Sequence, residues 1–286
     1  MYLKKIFIGS INVNIYFDNE DIYEHDDYFN LYETQKYSIK QQFNVYVRET
    51  DLNVQMKNEI YKTDIIQVLE SDNYLCIANP SNARCIYYKT YFDKKNNDSY
   101  IIYSREYGLQ NKVSILSSSQ FIYAFLFFIQ HKNYLILHSN LLKVDRGILF
   151  CGQSGRGKTT ISKLFDQNGY LVITDETVLI EIEDDMITGY GTPWAGREHL
   201  YFQNESVEID SLYIIEHGVT NNLREESDSY FINYLLKQSY PFFYLKKSVI
   251  VQIYKIKRIL SYLRKYYILG FVPDSSVCRF IEAKAC

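Results

Sequence analysis

From the N-terminus to about Glu106, apolar residues recur at nearly every second position. The runs "KKIFIGSINVNIYF", "FNVYVRE", "YLCIANP", "RCIYYKTYF" and "SYIIYSRE" alternate or are rich in β-branched and aromatic side chains, with Asn, Asp, Pro and Ser between them. Alternation puts every second side chain on one face of a pleated strand, so the pattern predicts short strands joined by turns in an antiparallel sheet. The segment "KKNND", Lys94 to Asp98, has the composition of a hairpin turn.

The period then changes. In "SSSQFIYAFLFFIQHKNYLILHS" the serines suit a helix N-cap and the apolar residues lie on all faces. This predicts a buried helix followed by a strand ending near His138. Helical spacing returns in "EESDSYFINYLLKQSY" and in "FYLKKSVIVQIYKIKRILSYLRK", the second with a Lys/Arg-rich polar face that reads first as solvated surface. "YYILGFVPDSSVCRFIEA" predicts a strand, a turn and a terminal helix.

Glycine usage marks a boundary. Only Gly9 and Gly108 precede Gly147, whereas nine of the twelve glycines fall from Gly147 to Gly218. We therefore expect an antiparallel β-rich domain over residues 1–115 and an α/β domain with C-terminal helices over 116–286.

Composition narrows the function. With 286 residues, 47% of them hydrophobic, the chain can bury a sizeable core. A net charge of −3 with interrupted basic groups gives no footprint for a nucleic-acid backbone, so nucleic acid is not expected as a partner. The five cysteines show no C-x-x-C spacing, which suggests neither a disulfide framework nor a zinc site and fits a reducing cytoplasm. The N-terminus lacks a signal-peptide core, and "FIYAFLFFI" is far short of the roughly 20 residues that cross a bilayer, so no membrane is expected. The 29 tyrosines and 17 phenylalanines are spread along the whole chain and read as compositional bias.

The chemistry concentrates in "GILFCGQSGRGKTTISKLFDQNGYLVITDETVLI". A short buried strand leads into Gly152-Gln-Ser-Gly-Arg-Gly-Lys-Thr159, which matches G-x-x-x-x-G-K-[ST] and opens a helix. Gly152, Ser154, Gly155, Arg156, Gly157, Lys158, Thr159 and Thr160 would wrap the phosphates of a nucleotide with backbone N–H groups and the helix N-terminus. Lys158 would reach the β/γ-phosphates, and the Thr159 hydroxyl would bind Mg²⁺. The helix stops at Asn168-Gly169, and the strand "YLVIT" delivers Asp175 and Glu176 to the same side of a right-handed βαβ unit. One carboxylate would hold Mg²⁺ and the other would act as general base toward an attacking hydroxyl.

The order of "LHSNLL", this glycine-rich segment and "GYGTPWAG" resembles the catalytic domain of HPr kinase/phosphorylase and related serine-kinase-like proteins, over about residues 134–275. The resemblance implies a P-loop kinase-like domain with a mixed sheet, related in fold to phosphoenolpyruvate carboxykinases, against which the β-rich domain would pack. It further implies that Asp175 is the general base, that Glu176 is a metal ligand where true HPr kinases have a second Asp, and that His138 lies beside the carboxylates. The family's His-Gly dipeptide is His138-Ser139 here. "GTPWAGREH" resembles a Gly-Thr-Pro-Trp segment of uncharacterised kinase-like relatives that often accompany peptide-modifying enzymes, and Arg197 within it would pair a phosphate. True HPr kinases carry another signature at this point, which argues against the protein HPr as acceptor.

Together these readings give an α/β (α+β) protein and an ATP- and Mg²⁺-dependent phosphotransferase. Its partners would be a nucleotide and a hydroxyl acceptor on a peptide, protein or small molecule, and a homo-oligomer is allowed. The alternative is a non-catalytic nucleotide-binding subunit that serves recognition in a peptide-modifying complex.

Overall fold

The computed structural model describes residues 1–23, 27–79, 87–105, 114–194, 201–240 and 246–285. It is a mixed α/β structure with two large sheets, and it divides into two compact units, Met1–Lys132 and Asn133–Cys286.

The first unit is built on an eight-stranded sheet of β1 (Tyr2–Ile8), β2 (Ile11–Phe17), β3 (Gln41–Arg48), β4 (Asn58–Lys62), β5 (Gln67–Glu70), β6 (Tyr74–Ala78), β7 (Tyr87–Asp93) and β8 (Ser99–Tyr103), in the spatial order β1-β2-β3-β8-β7-β6-β5-β4. The first alternating run is a hairpin, because Gly9 takes a positive φ of 60° between β1 and β2. The Lys94–Asp98 turn joins β7 to β8, where the Asp93 carboxylate accepts from the Lys95 and Asn96 N–H groups. The sheet is not antiparallel throughout, as alternation suggested: β2 pairs β3 in parallel, and β3 pairs β8 in parallel. Alternation fixes which side chains share a face and carries no information about strand direction. The connection from β2 to β3 includes a short helix α1 (Glu20–Tyr23), and the one from β3 to β8 spans four strands, so neither is a tight hairpin.

One face of this sheet buries Ile6, Val13, Ile15, Val45 and Ile101. Helix α2 (Ser119–Ile129) packs on β7 and β8, and Ser118 caps it by accepting from the Phe121 N–H at 3.1 Å. Phe128 stacks on Phe43 and Phe127 on Phe92. The helix therefore lies with the first unit instead of opening the second.

The second unit holds a nine-stranded sheet: β9 (Tyr134–Leu137), β10 (Asn140–Lys143), β11 (Gly147–Cys151), β12 (Leu171–Thr174), β13 (Val178–Ile182), β14 (Ile187–Gly191), β15 (Ser206–His217), β16 (Asn222–Arg224) and β17 (Lys265–Phe271). Its helices are α3 (Lys158–Gln167), α4 (Asp228–Gln238), α5 (Lys246–Tyr262) and α6 (Ser276–Ala285). One apolar layer joins Leu149, Ile180 and Ile214 to Phe231, Leu235, Ile256 and Ile259 of α4 and α5. The other joins Phe150, Val172 and Tyr213 to Ile161 and Phe165 of α3 and to Val277 and Ile281 of α6. Helices on both faces bury both sides of the strands, as continuous apolar runs such as "GILFC" require.

Strands β11, β15 and β17 run in parallel, so their C-terminal ends reach the same edge. Strand β10 is antiparallel to both β11 and β12 and lies between them. The expected strand–helix–strand unit is thus opened by an inserted strand, and β11 and β12 still end on the same side. Because β10 runs the other way, its first residue, Asn140, and the preceding His138 sit at that edge too. Among the described residues no helix is long and apolar enough to cross a membrane.

Candidate functional site

The parallel strands end in a cavity of about 550 Å³. It is lined by His138, Gln153, Ser154, Gly155, Gly157, Lys158, Thr159, Thr160, Asp175, Glu176 and His217. Open α/β sheets place ligands at this carboxyl edge because strand ends and helix N-termini converge there.

The glycine-rich loop runs from β11 to α3. Gly155 and Gly157 have φ of 80° and 94°, a left-handed region that other residues enter only with strain. A Cβ on Gly157 would lie 2.7 Å from Phe271 Cζ, so both the backbone and the packing at the end of β17 require glycine here. Helix α3 starts at Gly157 without a side-chain cap, which leaves its first N–H groups to whatever occupies the cavity.

Lys158 is buried, and its Nζ donates to the Gly152 carbonyl at 2.7 Å. Burial lowers its pKa below the ordinary lysine value, while Glu176, Cys151 and Asp175 pull it back up. Burial of Cys151 pushes that thiol up to about 12, so it stays neutral. The first turn of α3 is tied to the sheet by Asn140, whose Nδ2 donates to the Lys158 carbonyl at 2.7 Å and to Ser162 Oγ at 2.5 Å.

Asp175 and Glu176 follow β12. Asp175 is buried, whereas Glu176 is partly exposed and its Oε1 lies 3.2 Å from His138 Nδ1. The His138 backbone is fixed by donation from its N–H to the Gln238 carbonyl at the end of α4. Just beyond, the Thr177 carbonyl accepts from Thr192 Oγ1 at 2.9 Å, which attaches the start of the Gly-Thr-Pro-Trp segment next to the acidic pair. Trp194 is buried, and Arg197 and His199 lie outside the described residues.

Sequence reasoning thus named nine residues that share this cavity: His138, Ser154, Gly155, Gly157, Lys158, Thr159, Thr160, Asp175 and Glu176. Gly152 contributes its carbonyl behind them, and Arg156 is exposed with its N–H donating to the Gln153 carbonyl at 3.1 Å. Three residues were missed: Gln153 within the loop itself, and two from distant strands. His217 closes β15, with Nε2 3.1 Å from the Gly155 carbonyl, and Asn140 opens β10. The alternating run "SVEIDSLYIIEHG" would have flagged a strand ending at His217, but only its parallel pairing with β11 brings it to the loop.

Among the described residues no three His, Cys, Asp or Glu side chains converge as a metal-binding group. The Thr159 hydroxyl and the carboxylates are hard oxygen donors in one cavity, which suits Mg²⁺ held mainly by phosphate and water. Arranged this way, the site can receive a polyphosphate at the helix start and present a carboxylate to an incoming hydroxyl.

No protein-family model matches the chain, and no curated protein does. Among solved structures, the Hpr(Ser) kinase/phosphatase from Coxiella burnetii is distantly similar. The match covers 52% of this chain and 97% of that one, with 13% identity and a TM-score of 0.30.

Proposed function

We propose that the chain is an ATP- and Mg²⁺-dependent phosphotransferase of the HPr-kinase-like type, which moves a phosphoryl group to a hydroxyl of a peptide, protein or small molecule. The observation that carries this reading is the shared cavity of Lys158, the uncapped start of α3 and the Asp175–Glu176 pair.

Each residue has a distinct task. The α3 N-terminus and Lys158 bind the phosphate chain, and Lys158 exchanges the Gly152 carbonyl for a phosphate oxygen. The Thr159 hydroxyl and Glu176 hold Mg²⁺, which when bound neutralises charge on the transferring group. His138 orients Glu176. Asp175, buried at the floor of the site, accepts the proton of the attacking hydroxyl. Positioning and charge neutralisation then provide the rate. The resemblance around Gly191–Trp194 favours an acceptor in a peptide-modification pathway. The buried thiols Cys76, Cys151 and Cys278 suit a reducing compartment such as the cytoplasm.

Calorimetric titration with MgATP, followed by transfer of labelled γ-phosphate to candidate acceptors, tests this reading. Wild-type protein should bind, and Lys158→Ala should lose most of the affinity while remaining folded. Asp175→Asn should keep the nucleotide and lose roughly 10²-fold or more of the transfer rate. Binding with no phosphorylated acceptor would favour the accessory-subunit role, and no binding by the wild type would overturn the assignment.

A further inference from the structure

We infer that His217 is a further phosphate-binding residue of this site, whose Nε2–H exchanges its hydrogen bond to the Gly155 carbonyl for one to an oxygen of the bound phosphate chain. The inference depends on the phosphate-binding reading above and adds a residue that the glycine-rich motif does not contain.

Three observations carry it. First, His217 lines the cavity together with Lys158, Thr159 and Thr160, although it lies on β15, far along the chain from the loop. The parallel pairing of Cys151 with Ile214 brings the end of β15 to the loop.

Second, its Nε2 lies 3.1 Å from the Gly155 carbonyl oxygen. A carbonyl only accepts, so this nitrogen carries the hydrogen and is a donor aimed into the site. Lys158 is in the same position, since its Nζ rests on the Gly152 carbonyl. Two of the side chains that can donate to an anion are thus each held on a carbonyl of the same loop. The Arg156 N–H is likewise engaged by the Gln153 carbonyl. These donors are engaged on loop carbonyls, and an arriving phosphate chain offers them charged acceptors, which form stronger bonds than a neutral carbonyl does.

Third, the hardware permits the exchange. Gly155 has a left-handed φ of 80°, and nothing lies within 4 Å of where its Cβ would be, so the space beside the His217 contact is open. The His217 ring is braced by Phe271, with near-parallel planes and ring centroids 6.5 Å apart. Phe271 in turn closes under Gly157. The donor therefore stands beside an aromatic ring at the open edge of the cavity, where an arriving phosphate oxygen can reach it.

Titration with inorganic tripolyphosphate tests the inference without nucleoside or acceptor. The proteins compared are the wild type, His217→Gln, His217→Phe and Lys158→Ala, with histidine ¹⁵N NMR of the wild type. Glutamine places an N–H donor close to Nε2, whereas phenylalanine keeps the ring stacked on Phe271 and removes the donor. His217→Phe should bind about tenfold or more weakly, the loss expected for one hydrogen bond to a charged group. His217→Gln should stay within about threefold of the wild type, and the His217 Nε2 resonance should shift on saturation. Wild-type affinity in a folded His217→Phe, or an unmoved resonance, overturns the role of His217 while leaving the site intact. A wild type that does not bind tripolyphosphate overturns the phosphate site and this inference together.

Discussion

His138 Nδ1 and Glu176 Oε1 stand 3.2 Å apart, and both side chains are partly open to solvent, at 28% and 36% exposure. A contact with that much water around it contributes about 0–1 kcal/mol to stability even when both partners are charged. Its value lies in aiming the carboxylate, since His138 is anchored through its backbone to α4 and Glu176 follows β12. His138→Ala and Glu176→Gln should each leave the melting temperature nearly unchanged and raise the Mg²⁺ concentration needed for nucleotide binding. The double variant should be little worse than Glu176→Gln alone, because both changes act on the one oriented Glu176 carboxylate. Strictly additive losses would show that the two residues act separately.

Much of this site was legible in the sequence because its chemistry is local. The loop, the start of α3 and the acidic pair all lie between Gly147 and Glu176, and turn chemistry and periodicity report on segments of that length. The Ser118 cap and the Lys94–Asp98 turn were legible for the same reason. What stayed hidden depends on pairing between distant segments: the parallel runs β2·β3 and β3·β8, the insertion of β10 between β11 and β12, and the arrival of His217 beside Gly155. Alternation is the same for parallel and antiparallel neighbours, and a lone histidine at a strand end carries no local signal of what it will face.

Gly157 combines a left-handed φ with a neighbour 2.7 Å from its absent Cβ. Gly157→Ala should lower stability by about 1–3 kcal/mol, the scale of one strained residue, and abolish phosphate binding. Adding Phe271→Leu should recover part of the stability by making room, and little of the binding, since the backbone strain remains. Chemical denaturation and calorimetry separate the two effects, and an unstrained, fully active Gly157→Ala would refute this account of the loop.

Lys255 lies buried on α5, with its Nζ donating to the Tyr134 carbonyl at 2.8 Å. Burial lowers its pKa from 10.5 to about 7. Below about pH 7 the folded and unfolded chains both carry the proton, and folding bears the full cost of burying a charge. Between pH 7 and 10.5 the unfolded chain binds a proton that the folded chain has released, so stability rises with pH, at up to about 1.4 kcal/mol per unit. Denaturation at pH 7 and at pH 9 should show this rise, and Lys255→Met should remove it whatever its own stability. An identical slope in Lys255→Met would assign the rise to other groups.

Trp194 is the only tryptophan in the chain, and it is buried. Two residues before it, Thr192 Oγ1 donates to the Thr177 carbonyl at 2.9 Å, and Thr177 directly follows Glu176. On the other side, Thr177 Oγ1 lies 3.1 Å from the Tyr240 hydroxyl, so the segment after the acidic pair is held from two directions. On the proposed role, a shift of Glu176 toward a bound metal would pull on this short path, and the indole is sensitive to small changes in its packing and polarity. MgATP should therefore change the intrinsic fluorescence of Trp194, whereas adenosine, which has no phosphates to bring the metal, should not. Thr192→Val keeps the side-chain volume and removes the hydroxyl link, so it should reduce the fluorescence change while leaving MgATP affinity within about threefold, less than the roughly tenfold expected from losing a direct phosphate contact. An undiminished signal in Thr192→Val would mean that Trp194 senses the nucleotide by another route, and no signal in a wild type that binds MgATP would detach the Gly-Thr-Pro-Trp segment from the site.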